Sequence, residues 1–244
     1  MTDGTARPTE LELKYRVSDI AVAERLISAD RLGPFTVGGG RLRLTQLEDR
    51  YVDTADGALE RAGFAIRLRQ SGGTTIVSVK SLTHTAGPGG AFRREEIEGP
   101  ADRVAVAAEW PASDARSLVL EHAGDAPLVE RVTIRQMRRK RMLKSTVTQV
   151  ELSLDEVDVV ARGRVIARFV ELEAELVTGD GTELEALSAR FDQEPTMRRA
   201  KVGKLDAALE ALENAASRAV SAGTASVSES SPPPVPPARE RMDP

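Results

Sequence analysis

Alternating hydrophobic and polar positions dominate the chain between residues 9 and 177. In such a segment every second side chain points to the same face, which is the pattern of a β-strand with one buried face. We predict eight strands from it, at 9–17, 41–53, 64–71, 74–81, 91–98, 129–143, 147–160 and 165–177. The sequence Ser71-Gly72-Gly73 predicts a short hairpin turn between the third and fourth strands.

Apolar residues at helical spacing are less common. One helix is predicted to follow Ser18 as its N-cap, with Ile20, Ala23, Leu26 and Ile27 on one face. Further helices are predicted at 101–109, 114–122, 182–191 and 201–218. Long strands with flanking helices predict a mainly β, α+β fold. We expect a closed eight-stranded antiparallel barrel rather than a doubly wound sheet.

The composition changes near residue 220. Six of the 13 prolines lie beyond this point, among runs of serine. Such a segment cannot bury enough apolar surface to offset the entropy cost of ordering it. We therefore predict a folded domain at 9–219 and a disordered tail at 220–244. The tail could bind a proline-recognition domain of another protein.

Composition excludes several classes of function. The chain has 244 residues and no cysteine, which excludes disulfides and thiolate zinc sites. Its two histidines, His84 and His122, are too few for a multi-histidine metal site. A net charge of −4 argues against a surface for duplex nucleic acid. The absence of a long apolar run and of a secretory signal predicts a cytoplasmic protein with no membrane partner.

Charged residues recur on one face of six predicted strands, opposite an apolar face. Glu10, Glu12 and Lys14 share a face of the first strand, and Arg67 and Arg69 share one on the third. The alternative is a half-buried sheet whose charged face meets water. If helices cover the apolar faces instead, the charges line the barrel interior, where unpaired ions cost several kcal/mol each. A polyphosphate with Mg²⁺ or Mn²⁺ would satisfy both kinds of charge.

Motifs along the chain resemble those of one known family. They are E-x-E-x-K in TELELKYRV, the segment RYVDTADGALERAGFAIRLRQ, and then SVK, FRREEIE, VELSLDEV, FVELEAEL and RAKVGK. In this order, over about 10–210, they resemble the CYTH superfamily of triphosphate tunnel metalloenzymes. The resemblance implies an eight-stranded antiparallel tunnel that acts on a triphosphate with Mg²⁺ or Mn²⁺. The family includes inorganic, thiamine and RNA triphosphatases and class IV adenylyl cyclases.

The resemblance also implies roles for individual residues. The implied metal ligands are Glu10, Glu12, Glu96, Glu98, Asp155, Glu171 and Glu173, with Glu175 as a further supporting acid. The implied phosphate-binding residues are Lys14, Arg67, Arg69, Lys80, Arg135, Arg139 and Lys201. Glu10, Glu12 and Lys14 are the expected catalytic residues. On the sixth strand we predict that Arg135 and Arg139, which share a face, point into the tunnel rather than Arg138 and Arg141.

Three functions are compatible with these residues. The first is a metal-dependent triphosphatase, with inorganic tripolyphosphate or a nucleoside or thiamine triphosphate as substrate. The second is a class IV-type adenylyl cyclase, which makes cyclic AMP from ATP. The third is a non-catalytic module that binds polyphosphate or nucleotides. The sequence leaves open the physiological substrate, the preferred metal and the oligomeric state, including a homodimer.

Overall fold

The computed structural model describes residues 8–38, 41–102 and 106–227 of the chain. Its strands are β1 (Thr9–Val17), β2 (Arg31–Leu32), β3 (Phe35–Val37), β4 (Arg43–Thr54), β5 (Phe64–Ser71), β6 (Thr74–Ser81), β7 (Thr85–Ala86), β8 (Phe92–Pro100), β9 (Leu128–Lys144), β10 (Gln149–Ala161), β11 (Arg164–Thr178) and β12 (Met197–Arg199). Its helices are α1 (Ile20–Ser28), α2 (Ala58–Arg61), α3 (Asp114–Ala123), α4 (Leu184–Asp192) and α5 (Lys204–Val227).

Eight antiparallel strands close into a barrel, which confirms the predicted fold class. Their order is β10-β11-β1-β8-β6-β5-β4-β9, and pairing of β9 with β10 closes the ring. The predicted hairpin between β5 and β6 is also present. Gly72 and Gly73 both have positive φ there, at 54° and 87°, a backbone conformation that glycine adopts without strain.

Helices cover the outer face of the barrel on two sides. Leu13, Leu152 and Leu172 of neighbouring strands are fully buried in a cluster with residues of α1 and α4. A second cluster joins β5 and β6 to α2 and α3, with Ile66 and Val79 buried at its centre. Because alternate residues on a strand point to opposite faces, burying these apolar positions outside turns the charged positions inward.

Helix α5 packs into one end of the barrel rather than against its outer wall. Ala208 is buried against Ile134 and Val157, and Leu205 and Leu209 pack beside it. Ile134 shares the inward face of β9, and Val157 that of β10. The barrel interior is therefore apolar around Leu205, Ala208 and Leu209 of α5 and charged elsewhere. No helix within the described ranges is long and apolar enough to cross a membrane.

Some predicted boundaries differ from the structure. The N-cap of α1 is Asp19, whose carboxylate accepts a hydrogen bond from the N–H of Ala21 at 3.0 Å. Ser18, the predicted cap, instead donates its hydroxyl to the carbonyl of Thr196. Asp19 follows an extended strand end and has the side-chain reach that the first helical turn requires.

Two predicted segments also changed length. The helix predicted at 101–109 is reduced to a 3₁₀ turn at Ala107–Glu109, and residues 103–105 lie outside the described residues. Helix α5 continues to Val227, eight residues into the predicted tail, which contains no proline before Pro232 to stop it. The remainder of the predicted tail, 228–244, lies outside the described residues.

Asp53, in the Y-x-D-T motif, has a structural role at the start of α2. Its buried carboxylate accepts hydrogen bonds from the N–H groups of Thr54, Leu59 and Glu60. We expect Asp53→Ala to lower the free energy of unfolding by roughly 1–3 kcal/mol, because these buried donors lose their acceptor. Urea denaturation measures this loss. An unchanged midpoint would show that α2 does not depend on this carboxylate.

Candidate functional site: a charged tunnel

The inward faces of the strands enclose a cavity of about 670 Å³ that is also bordered by the start of α5. The charged residues of its lining on seven strands and around the start of α5 include Glu10, Glu12, Lys14, Arg67, Arg69, Lys80, Arg94, Glu96, Glu98, Arg138, Lys140, Glu151, Glu173, Glu175, Lys201 and Lys204. Acidic and basic groups are nearly balanced, and they form ion pairs across neighbouring strands.

One group of ion pairs connects β1, β6 and β8. Lys80 Nζ lies 2.6 Å from Glu96 Oε2 and 3.0 Å from Glu10 Oε2. Arg94 joins the two glutamates of the E-x-E motif, with its guanidinium 3.0 Å from both Glu10 and Glu12. These carboxylates therefore hold cationic side chains in fixed positions.

A second group connects β1 to β10, β11 and α5. Lys14 Nζ lies 2.9 Å from Glu12 Oε1 and 3.2 Å from Glu173 Oε1. Arg138 of β9 donates to both oxygens of Asp155, at 2.7 and 2.5 Å, and to Glu173 at 2.9 Å. Glu173 thus connects Lys14 of the E-x-E-x-K strand to Arg138 of β9.

A third group surrounds the fully buried carboxylate of Asp49. Arg69 forms a bidentate pair with it, with both N–O distances at 2.7 Å, and Gln136 donates a further hydrogen bond. Arg67 donates to Ser78 at 2.9 Å and lies 3.4 Å from Glu96. Asp49 therefore fixes the two arginines of the R-x-R motif, Arg69 directly and Arg67 across a longer distance.

Electrostatics at the site favour charged forms of most paired groups. Burial opposes protonation of Lys14, but the nearby carboxylates of Glu12 and Glu173 raise its pKa above the ordinary value. Burial lowers the pKa of Lys80, and the neighbouring Arg67 lowers it further. Burial also raises the pKa of Glu175 to about 7, with the charges of Glu10 and Glu12 adding to the effect. The uncharged form of Glu175 therefore persists to a higher pH than that of an ordinary glutamate.

This raised pKa predicts a pH-dependent stability. The pKa of Glu175 is about 7 in the folded protein, against an ordinary value of 4.5. Between these values the folded state binds more protons than the unfolded state, so the free energy of unfolding falls as pH rises. In buffer that contains EDTA, we expect Glu175→Gln to have a free energy of unfolding roughly 1–3 kcal/mol higher than that of the wild type at pH 8. Near pH 4.5 the two free energies should be almost equal. Urea denaturation at both pH values tests it.

Glu151→Gln is the matched control for that prediction. Glu151 lies directly opposite Glu175 in the strand register, but it pairs with Lys140 at 2.9 Å. Its substitution should give no gain at pH 8. The interpretation of Glu175 would be wrong if the two variants behaved alike, or if the gain of Glu175→Gln were equal at both pH values.

Most residues expected from the resemblance do lie on the tunnel lining or in its ion-pair network. The inward residues that take part in these ion pairs are Glu10, Glu12, Lys14, Arg67, Arg69, Lys80, Glu96, Asp155, Glu171 and Glu173. Glu98 is at the rim, with half of its side chain exposed, and accepts a hydrogen bond from Ser78. Lys201 is exposed at the edge of the cavity. Their functional roles remain proposals.

The predicted orientation of β9 is wrong. Arg135 is largely exposed and pairs with Glu48, and Arg139 points outward to Glu24 of α1 and Glu156. The inward arginine is Arg138. Val132 and Ile134 share the face of Arg138 and point into the barrel end that α5 fills. The face assignment along β9 was therefore inverted.

Sequence reasoning assigned no role in the site to several residues that the structure places there. They are Asp49, Arg94, Arg138, Lys140, Glu151 and Lys204. Arg94 and Glu151 were recognisable from their strand faces, since each shares a face with predicted acids. Lys204 had no such signal, because a lysine at the start of a helix is ordinarily exposed, whereas here it reaches into the barrel.

The inward acids fit a hard divalent cation in their donor chemistry. Carboxylate oxygens are the ligands that Mg²⁺ and Mn²⁺ prefer. Glu171 is fully buried and forms ion pairs with Lys204 and Arg16, and burial together with the charges of Glu10 and Glu12 raises the pKa of Glu175. Among the described residues, however, no three acidic side chains have their oxygens already arranged as ligands around one position for a metal ion. Lysine and arginine hold these carboxylates, so a cation would have to replace some ion pairs.

Comparison with known proteins agrees with this architecture. The profile of the CYTH domain matches residues 8–206, most of the chain. The chain belongs to the CYTH domain family. Members of this CYTH family bind triphosphate substrates, are mostly enzymes and are typically metal-dependent. No curated protein sequence matches the chain significantly.

Solved structures share the CYTH fold at low sequence identity. HpAC1 from Hippeastrum, a candidate adenylyl cyclase described as having a dominant triphosphatase activity, is 20% identical with a TM-score of 0.61. The match covers 82% of this chain and 95% of HpAC1. The PH1819 protein from Pyrococcus horikoshii is 15% identical, with a TM-score of 0.46 and coverage of 82% and 98%. At 20% identity the likeness to HpAC1 shows the fold alone.

Proposed function

We propose that this CYTH protein is a metal-dependent triphosphatase, with inorganic tripolyphosphate as the first substrate to test. One observation carries the proposal: cationic side chains from β1, β5, β6, β8, β9 and α5 converge on one cavity. Guanidinium and ammonium groups bind paired phosphate oxygens, and so many of them in one cavity suit a ligand with several negative charges. The triphosphatase activity described for HpAC1 supports the same reaction.

The chain's own residues would bind and align the phosphates. Lys14, Lys80 and Arg94 line one side of the cavity, and Arg67 and Arg138 line other parts of it. A bound Mg²⁺ or Mn²⁺ would neutralise charge on the phosphate oxygens and the leaving group. We assign Glu10, Glu12, Glu171 and Glu173 to hold it, and the supporting acid Glu175 to accept a proton from the attacking water.

The direct test is release of phosphate from tripolyphosphate by the purified full chain, with Mg²⁺, with Mn²⁺ and with EDTA. We expect turnover with one of these metals and none with EDTA. Parallel reactions with ATP, analysed for cyclic AMP and for ADP with phosphate, distinguish hydrolysis from cyclisation. Cyclic AMP as the main product would replace the proposal by the cyclase alternative. Tight binding of tripolyphosphate without turnover would indicate the non-catalytic module.

A further inference from the structure

Lys204, the first residue of α5, is buried inside the barrel and surrounded by carboxylates. Its Nζ lies 2.6 Å from Glu173 Oε1, 2.8 Å from Glu171 Oε2 and 3.0 Å from Asp155 Oδ2. We call Asp155, Glu171 and Glu173 the carboxylate cage. Burial opposes protonation of Lys204, yet the cage raises its pKa well above the ordinary value. The ammonium therefore stays charged in this position.

The cage has more oxygen capacity than one ammonium uses. Asp155 and Glu171 are directly opposite in the β10–β11 register, so both carboxylates point inward side by side, and both are fully buried. Arg138, Lys14 and Arg16 also form ion pairs with oxygens of the cage, so its three carboxylates have more cationic partners than one ammonium. Hard divalent cations, which take six or more oxygen ligands, would use that capacity.

We propose that the Lys204 ammonium is a built-in substitute for a divalent cation, and that it leaves the carboxylate cage when such a cation enters. The inference rests on the metal dependence in the proposed function. Two cations at the same carboxylate oxygens repel each other strongly in a buried site. Cation binding and the Lys204 ion pairs therefore exclude each other. The displaced ammonium would remain beside the cavity that Lys204 already lines, where it could meet a phosphate.

The test measures binding of Mn²⁺ alone, without substrate, by isothermal titration calorimetry. We expect Lys204→Met to bind Mn²⁺ about tenfold more tightly than the wild type or better, because no ammonium has to be displaced. Lys201→Met is the matched control. It removes the same charge from the same segment, but Lys201 is exposed, so its Mn²⁺ affinity should stay near that of the wild type.

The proposal is overturned if Lys204→Met binds Mn²⁺ no more tightly than the wild type, or if Lys201→Met gains as much. A second measurement on the wild type covers the case in which Lys204→Met does not fold. Saturating Mn²⁺ should speed amide hydrogen exchange in the first turn of α5, over 204–209, because its buried anchor is released. Unchanged or slower exchange there would contradict the displacement of Lys204.

These outcomes are separable from the test of the triphosphatase proposal. An active enzyme in which Lys204→Met leaves the Mn²⁺ affinity unchanged would remove the inference about Lys204 and keep the proposed function. Tighter Mn²⁺ binding by Lys204→Met, in a protein that releases no phosphate from tripolyphosphate, would support the inference and remove the proposed function.

Discussion

Replacing both glutamates of the E-x-E motif, as Glu10→Gln with Glu12→Gln, is expected to lower kcat for tripolyphosphate at least about hundredfold. Glutamine keeps the shape of each side chain but loses the charge that a divalent cation needs from its ligands. The same change removes the anionic partners that hold Arg94 and Lys80 in place. Turnover should therefore fall while anion binding persists, because the cavity becomes more positive.

The control for this pair removes two negative charges outside the tunnel. Glu95→Gln with Glu156→Gln changes exposed residues on the outward faces of β8 and β10. This variant should keep kcat within about twofold of the wild type. Initial rates of phosphate release give kcat, and calorimetry with tripolyphosphate gives binding. If the variant with Glu10→Gln and Glu12→Gln kept more than half of the wild-type kcat, these carboxylates would not be the catalytic ones.

The strand faces explain how much of the fold was predictable from the sequence. Leu11 and Leu13 alternate with Glu10, Glu12 and Lys14 without a break, so one short segment fixes both the strand and its inward face. Closure of the barrel followed from eight such segments with helices to cover them. Local periodicity is sufficient in these strands because a single environment, either helix or tunnel, lies on each side along their length.

The rest depended on contacts between distant parts of the chain. The inward face of β9 changes from apolar to charged along its length, because α5 enters one end of the barrel. Nothing near β9 in the sequence indicates where a helix more than sixty residues later will pack. Lys204 and Asp49 were missed for the same reason, since each acquires its role from partners on other strands.

Arg138 and Arg135 provide the sharpest test of which face of β9 points into the barrel. Arg138 compensates Asp155 and Glu173 inside the barrel, and these two carboxylates are buried. Removing one partner of a buried ion pair leaves an uncompensated charge, so Arg138→Met should lower the free energy of unfolding by about 3–5 kcal/mol. Arg135→Met should cost less than about 0.5 kcal/mol, because its pair with Glu48 is exposed.

Urea denaturation of the two variants in metal-free buffer compares these costs directly. Both substitutions remove one arginine from the same strand, three residues apart, so differences in strand propensity or net charge cannot separate them. The two arginines differ in the face of β9 on which they lie, and this difference separates the variants. Equal losses, or a larger loss for Arg135→Met, would mean that Arg138 is not the inward arginine. A large loss for Arg138→Met that is partly restored by Asp155→Asn would show that the cost arises from this buried carboxylate rather than from lost packing.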